Sequence, residues 1–277
     1  MSDAADRMLW ARSALRIHCP HARRDVFVDG LVGDNAIALH RLFLVPARSP
    51  GPGGRVVDVA ARRSLPLSPG SVLLLPSSRR YRFEFAPGLH LIGYHFRIEV
   101  VPGRDVLGDA VRFQRVAGDH ALLERTWRAF AGTDMGSWLT TEGVLRSELA
   151  ALVQPSWAAV EAAVLAQRRW GAVLADLERA GARRAVAGCA RRIGMTREGF
   201  SRKFQRDLGI SPSAWLSRRL ADRATELLLY TDRPLASIAE ELGFSDAFAL
   251  SKLVKRVTGQ NPSGIRAIRA TLPSRRA

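Results

Sequence analysis

The feature that most narrows what this chain can fold into is a repeat within its last hundred residues. The stretch ARRIG, ending at Gly194, is echoed by AEELG, ending at Gly243, and each glycine is followed by an apolar residue and a hydroxyl, Met195 and Thr196 or Phe244 and Ser245. Further on, SRKFQRDLGISP (Ser201–Pro212) is echoed by SKLVKRVTGQNP (Ser251–Pro262). Each copy predicts an amphipathic helix closed by glycine, a tight turn in which Thr196 or Ser245 caps the next helix, and a basic helix that ends at Gly209 or Gly259 before a proline. Helix, glycine turn and capped basic helix together form the helix-turn-helix signature. Between the copies, Ser213–Tyr230 keeps apolar residues at Trp215, Leu216, Leu220, Ala224, Leu227 and Leu228. That spacing predicts one continuous helix, a strut of roughly 27 Å at ~1.5 Å per residue. Two recognition helices on such a strut suit consecutive major grooves on one face of DNA, which lie ~34 Å apart.

The charge distribution agrees with that reading. The 277 residues carry 42 Lys and Arg against 26 Asp and Glu, a formal net charge of +16. Residues 181–277 hold 19 basic and 8 acidic side chains, net +11, so most of the excess lies on the repeated segment. All three lysines, Lys203, Lys252 and Lys255, lie there too, although the dominance of arginine elsewhere reads as codon bias. A basic balance alone fits nucleic acid, an anionic membrane surface or mere solubility, so its location is what carries information. With 47% hydrophobic residues the chain is globular in composition and not a disordered polyelectrolyte. No stretch approaches the ~18 apolar residues of a membrane span, and Met1–Trp10 carries acids where a signal peptide needs an apolar core. A soluble cytoplasmic protein with no membrane partner is the expectation. Cys19 and Cys189 are too few and too far apart for a disulfide framework or a thiolate metal site.

The first hundred residues read as short strands punctuated by Pro and Gly: Ala36–Val45, Arg55–Ala60, Ser71–Leu75 and His90–Ile98. In Arg80–Phe85 the alternation is clean, with Arg80, Arg82 and Glu84 on one face and Tyr81, Phe83 and Phe85 on the other. From about Asp119 the period becomes helical, through Leu122, Leu123, Trp127 and Phe130 and then Val144, Leu145, Leu149 and Leu152. Pro155–Ser156 breaks the run before a further helical stretch. The expected organisation is two-domain α+β: a β-rich sensor at 1–115, linking and dimerising helices at 116–166, and an all-α double helix-turn-helix domain at 167–270. Within the last, the units fall at about 186–208 and 235–258 with the strut at 213–230.

These residues resemble the AraC/XylS family of bacterial transcription regulators. The resemblance covers about Arg168–Arg269, including the doubled motif, the strut opening at Ser211 and Pro212, and the run from Ile238 through Gly243 to Asp246. More weakly, Leu67–Pro76 followed by Tyr81 resembles the cupin-like sensor that often precedes this module, which implies an all-β cupin-like barrel. On the first recognition helix the outward residues are Arg197, Glu198, Ser201, Arg202, Gln205 and Arg206, with Phe200 and Phe204 turned inward. The family pattern implies base contacts at Glu198, Ser201 and Arg202. Arg202 suits a bidentate bond to guanine O6 and N7, and Glu198 suits acceptance from cytosine N4; the alternative is a mere Glu198–Arg202 pair at i,i+4 on a solvated face. The second helix departs from the family. It opens Ala247-Phe248-Ala249-Leu250, which leaves Ser251 and Lys252 as candidate contacts and Lys255 and Arg256 for the backbone. Phe248 reads either as buried or, like Ala249, as touching a thymine methyl. Arg218, Arg219, Arg223 and Arg266 read as solvated strut or phosphate contacts.

A cupin-like fold can also be an enzyme, which would need His and carboxylate ligands around an open-sided metal. His18 and His21 form the nearest pair but lack a third ligand. His90 and His95, five apart, face opposite sides of one strand, and Tyr81 stands roughly where a metal histidine is expected. No catalytic residue, metal or cofactor is therefore expected. His40, Tyr81, Phe83, Tyr94 and Phe96 are the candidates for an effector pocket, against the alternative that all are core. The functional expectation is a sequence-specific transcription regulator whose partners are operator DNA, a small-molecule effector, RNA polymerase and a second copy of the chain. A metal-dependent cupin enzyme tethered to DNA, or a non-specific architectural DNA binder, are the rivals.

Overall fold

The structure, a computed structural model, describes residues 14–153, 157–180 and 185–270. They form two compact units, one of Ile17–Ile98 with Leu107–Ser156, the other of Glu99–Val106 with Trp157–Arg269. The first unit is sheet-rich and the second is helical, a two-domain α+β chain.

Among the described residues nine strands run through the sheet-rich part: β1 (Arg16–Phe27), β2 (Leu31–Ala36), β3 (His40–Val45), β4 (Gly54–Asp58), β5 (Arg63–Pro66), β6 (Ser71–Leu75), β7 (Arg80–Phe85), β8 (Leu89–Glu99) and β9 (Gln114–Ala117). They pair as two sheets, β1-β8-β3-β6-β9 and β2-β7-β4-β5, and not as one closed barrel. The two sheets obey different sequence rules. In the four-stranded sheet β7 alternates, with Tyr81 and Phe83 buried and Arg80 and Arg82 exposed, as a sheet with one wet face requires. In the five-stranded sheet β3 and β6 are buried at every position, because both faces are covered. Phe43, Val45, Leu73, Leu75 and Leu91 share one core with Phe83 and Phe85 of the other sheet. Leu42, Leu44, Val72, Leu74 and Ile92 face the opposite way.

That second face is covered by α1 (His120–Ala129) and α2 (Met135–Leu152), which contribute Leu123, Trp127, Val144, Leu145 and Leu149. Burying each such side chain contributes about 1.5–3 kcal/mol. Both helices start on an aspartate cap: Asp119 accepts from the Leu122 N–H at 3.0 Å and Asp134 from the Ser137 N–H at 3.0 Å. The helices expected at 116–166 thus divide, the first two completing the sheet-rich unit and the third, α3 (Trp157–Ala180), opening the helical one. The expected break at Pro155–Ser156 lies outside the described residues. Met135, Trp138 and Leu139 stand exposed at the start of α2, in the stretch where dimerisation was expected.

The helical unit continues with α4 (Ala185–Arg192), α5 (Arg197–Leu208), α6 (Pro212–Tyr230), α7 (Leu235–Glu241), α8 (Ala247–Thr258) and α9 (Pro262–Ala270). Its core gathers Trp170, Leu174 and Leu177 of α3, Phe200, Phe204 and Leu208 of α5, and Trp215, Leu216, Leu220 and Ala221 of α6. The strut α6 starts where Ser211 accepts from the Ala214 N–H at 3.2 Å with Pro212 at its first turn, a position that needs no N–H. Among the described residues no helix is long and apolar enough to cross a membrane.

Candidate nucleic-acid interface

The repeat survives at the level of single hydrogen bonds. In the first copy α4 closes as Gly194 donates to the Arg191 carbonyl and Met195 to that of Ala190, at 3.1 and 2.9 Å. In the second, Gly243 donates to the Glu240 carbonyl and Phe244 to that of Ala239, at 3.0 and 2.9 Å, the same pair of bonds 49 positions on. Both glycines are left-handed, with φ +67° and +77°.

The register then slips by one. Thr196 caps α5 by accepting from the Gly199 N–H at 3.1 Å, but the equivalent cap of α8 is Asp246, accepting from Ala249 at 2.7 Å. Ser245 was the expected cap. Instead its hydroxyl donates to the Asp246 carboxylate at 3.1 Å, because the second turn is one residue longer and the carboxylate, not the hydroxyl, reaches the first helical turn. Beyond the cap the copies match at an offset of 50: each recognition helix has 12 residues and ends on a left-handed glycine, Gly209 or Gly259. In this register Ala247, Phe248, Ser251 and Lys252 stand where Arg197, Glu198, Ser201 and Arg202 stand in α5.

On α5, Phe200, Phe204 and Leu208 are buried, while Thr196, Arg197, Glu198, Arg202, Gln205 and Arg206 are exposed and Ser201 is half-buried. Among the described residues no ion pair joins Glu198 to Arg202, so the i,i+4 pair does not occupy this face. The acids behind it are occupied. Asp207 takes Arg169 at 2.9 Å and the Trp170 indole N–H at 3.2 Å, and the Arg169 guanidinium holds its carboxyl below the usual range. Asp176 pairs with Arg192, and Glu241 pairs with Arg233, whose guanidinium lowers that carboxyl as well. Ion pairing thus takes up carboxylates beside the helices, and among the described residues Arg197, Arg202, Lys252 and Lys255 are in no ion pair.

On α8, Lys252, Lys255 and Arg256 are exposed, with Ser251 half-buried and Leu250, Leu253 and Val254 facing the core. Phe248, for which the sequence leaves burial open, is 67% exposed, and the Lys252 ammonium lies 4.3 Å from its ring centroid. The inward stripe runs through Leu250, Leu253 and Val254, and Phe248 falls off it. A cleft of about 470 Å³ brings Arg197 together with Lys252 and Arg256 over a floor that includes Leu216, Leu220 and Leu253. On the strut, Arg219 binds Glu178 at 2.7 Å and Arg223 lies 3.7 Å from Glu241, whereas Arg218 is exposed; on α9, Arg266 donates to the Arg233 carbonyl.

The effector candidates separate. A cavity of about 40 Å³ lies in the core shared by the two sheets, lined by Phe83 together with residues such as His21, Asn35, Arg41, Phe43 and His95. Of the five expected residues only Phe83 lines it. Tyr81 lies in the same core, 5.3 Å from the Phe113 ring. His40, Tyr94 and Phe96 belong to the opposite face of their sheet: His40 accepts from the Ser77 N–H at 2.9 Å, and the Tyr94 hydroxyl donates to the Thr141 carbonyl at 2.9 Å. The correction is one of strand parity, since a sheet buried on both faces offers no polar side by which to orient β3 and β8. Arg41, missed in the sequence, is 2% exposed; it donates to the Asn35 amide oxygen and lies 5.3 Å from the Phe83 ring centroid. Its signal was a lone cation in the run HRLFLV. Among the described residues no three His, Cys, Asp or Glu side chains are grouped to hold a metal.

The His21 and His95 rings are 4.7 Å apart. Burial, and then the Arg23 charge, lowers His21 to about 4, while burial, His21 and Arg41 hold His95 well below its ordinary 6.5. Folding therefore excludes protons that the unfolded imidazoles take up. Stability from these groups is complete above about pH 6.5 and is lost as pH falls toward 4, at up to about 1.4 kcal/mol per pH unit for each imidazole. Urea unfolding of the sheet-rich unit between about pH 7 and pH 5 should show that slope, and His95→Gln should reduce it. Equal slopes in parent and variant would sink the assignment.

A helix-turn-helix domain model matches residues 189–268. The arabinose operon regulatory protein of Escherichia coli is 32% identical over 82 residues, 30% of this chain and 28% of that protein. The HTH-type transcriptional regulator ExsA of Pseudomonas aeruginosa is 36% identical over 74 residues, 27% of each. The chain thus spans less than a third of the length of the curated relatives it matches. Among solved structures, apo ToxT from Vibrio cholerae, a single-residue variant, aligns over 94% of this chain and 97% of its own at 11% identity and a TM-score of 0.48. The matched segment takes in most of the two helix pairs and the whole of the strut between them, so this chain carries a helix-turn-helix domain over residues 189–268.

Proposed function

We propose that the protein is a sequence-specific, double-stranded-DNA-binding transcription regulator that acts in the cytoplasm. One observation carries this: two 12-residue recognition helices, capped alike and held by one buried strut, present exposed side chains in matching register. Backbone affinity comes from Arg206, Lys255 and Arg256, and sequence choice from Glu198, Ser201 and Arg202 on the first helix. Phosphate contacts position a protein and base-edge contacts specify, so both sets are needed.

Selection of duplexes from a random library with the full chain should enrich one sequence, bound at least about 10³-fold more tightly than random DNA at the same salt. Arg206→Ala and Lys255→Ala should each reduce the slope of log affinity against log salt by about 0.9 and weaken both DNAs alike. A steep salt slope with no enriched sequence would leave only an architectural binder.

We further assign effector sensing to the core between the sheets, around Arg41. At about 40 Å³ the cavity is no larger than one or two water molecules. An effector entering there must therefore part the aromatic pairs around Phe83, and the buried guanidinium favours one bearing an anionic or carbonyl oxygen.

A further inference from the structure

The two recognition helices share one frame and carry different chemistry. At the positions of Arg197 and Glu198 in α5, α8 holds Ala247 and Phe248, while Ser251 repeats Ser201. Both helices begin on a side-chain cap one residue earlier and both end on a left-handed glycine, so this equivalence is one of backbone geometry. Phe248 thus occupies the place from which Glu198 would meet a base edge. It is 67% exposed, an unusual position for an aromatic ring within an otherwise sorted amphipathic helix. The ring is also oriented: the Lys252 ammonium, one turn along, lies 4.3 Å from its centroid, a cation–π contact that steadies the ring beside a charge suited to DNA.

A phenyl ring offers no hydrogen bond, so it cannot choose among the donors and acceptors of base edges. The major groove presents one apolar group, the C5-methyl of thymine. We propose that Phe248 is the specificity-determining residue of the second helix-turn-helix, and that it reads a thymine by its methyl group. The two halves of the domain then discriminate by different means, the first by polar contacts and the second by apolar contact, with Lys252 adding affinity for the backbone or an adjacent base. This rests on the reading of the chain as a sequence-specific DNA binder.

Deoxyuridine tests it, because it removes the methyl and leaves every hydrogen-bonding group of the base in place. In the duplex enriched by the full chain, each thymine of the second half-site is replaced singly by deoxyuridine, and Kd is measured for the parent, Phe248→Leu and Phe248→Ala. One replacement should raise the parent Kd roughly fourfold, the worth of one buried methyl. Phe248→Leu should keep most of that response. Phe248→Ala should bind the intact duplex about as weakly as the parent binds the uridine duplex, and respond no further. Circular dichroism should show all three equally folded, as expected for an exposed position. Tight, sequence-specific binding with no thymine sensitive to uridine would overturn the methyl contact and leave the regulator reading intact. The same sensitivity in Phe248→Ala would assign the methyl to another residue and overturn it equally. Failure to enrich any duplex would remove the regulator reading and this inference with it.

Discussion

Phe204→Ala should cost about 3–5 kcal/mol of stability and abolish DNA binding of every kind. The ring is fully buried, with the rings of Trp170 at 5.1 Å, Phe200 at 5.7 Å and Trp215 at 6.4 Å. It is therefore where α5 is fastened to α3 and to the strut. Truncation removes the transfer free energy of the ring and leaves a cavity between two indoles, which cannot collapse without moving a helix. A loss of that size is a large fraction of the 5–15 kcal/mol that holds a typical domain together. Specific and random DNA should therefore be lost together, unlike the selective losses expected from surface variants. Tryptophan emission should shift to the red and proteolysis within 157–270 should accelerate. Wild-type emission and protease resistance in Phe204→Ala would show that α5 is held by other contacts. Phe248→Ala is the control: a ring of the same size, 67% exposed, whose removal should leave both measurements unchanged.

Where the sequence was legible, a local rule and a tertiary requirement coincided. Gly194, Gly209, Gly243 and Gly259 all adopt left-handed backbone that closes helices, so reading them as stops placed the helix ends within a residue or two. The strut, expected at 213–230, runs from Pro212 to Tyr230, its start set by the Ser211 cap with Pro212 in the first turn. Legibility failed where two patterns competed. Ser245 looked like a cap because it matches Thr196 when counted from the preceding glycine, yet the helix itself counts from Asp246. Phe248 looked like core by residue type, although its repeat position, that of the outward Glu198, was the better guide. In the sheets, β7 alternates and was assigned to the correct faces, whereas β3 and β8 are buried on both sides, so Tyr94 and Phe96 carried no mark of which core they enter. The strands β1, β2, β5 and β9 are not legible in the sequence, because RIHCPHARRDVF and LVGDNA have no clean period and RSLP and QRVA are only four residues long.

Arg202→Ala should weaken binding to the selected duplex about 5- to 150-fold, corresponding to about 1–3 kcal/mol, and should erase the preference at a single base pair. Arg202 is exposed on the face of α5 opposite Phe200 and Phe204, and among the described residues it is in no ion pair that DNA would have to break. Its guanidinium carries two parallel N–H donors, which match guanine O6 and N7 at the same time, so Arg202→Lys should restore affinity for DNA in general more than it restores the guanine preference. The decisive quantity is the pattern of loss and not its size. Repeating the selection with Arg202→Ala should flatten one position of the enriched sequence and leave the others intact, with the salt slope nearly unchanged. Arg206→Ala, one turn further along and assigned to the backbone, should do the reverse, leaving the sequence intact and making the salt slope shallower. If Arg202→Ala instead weakens all sequences alike, Arg202 is a phosphate contact and the guanine-reading role passes to another side chain of α5. The contrast between the two arginines comes from helix geometry: residues four apart project from one face at successive turns, so when the first turn lies among base edges the next is carried toward the flanking phosphates.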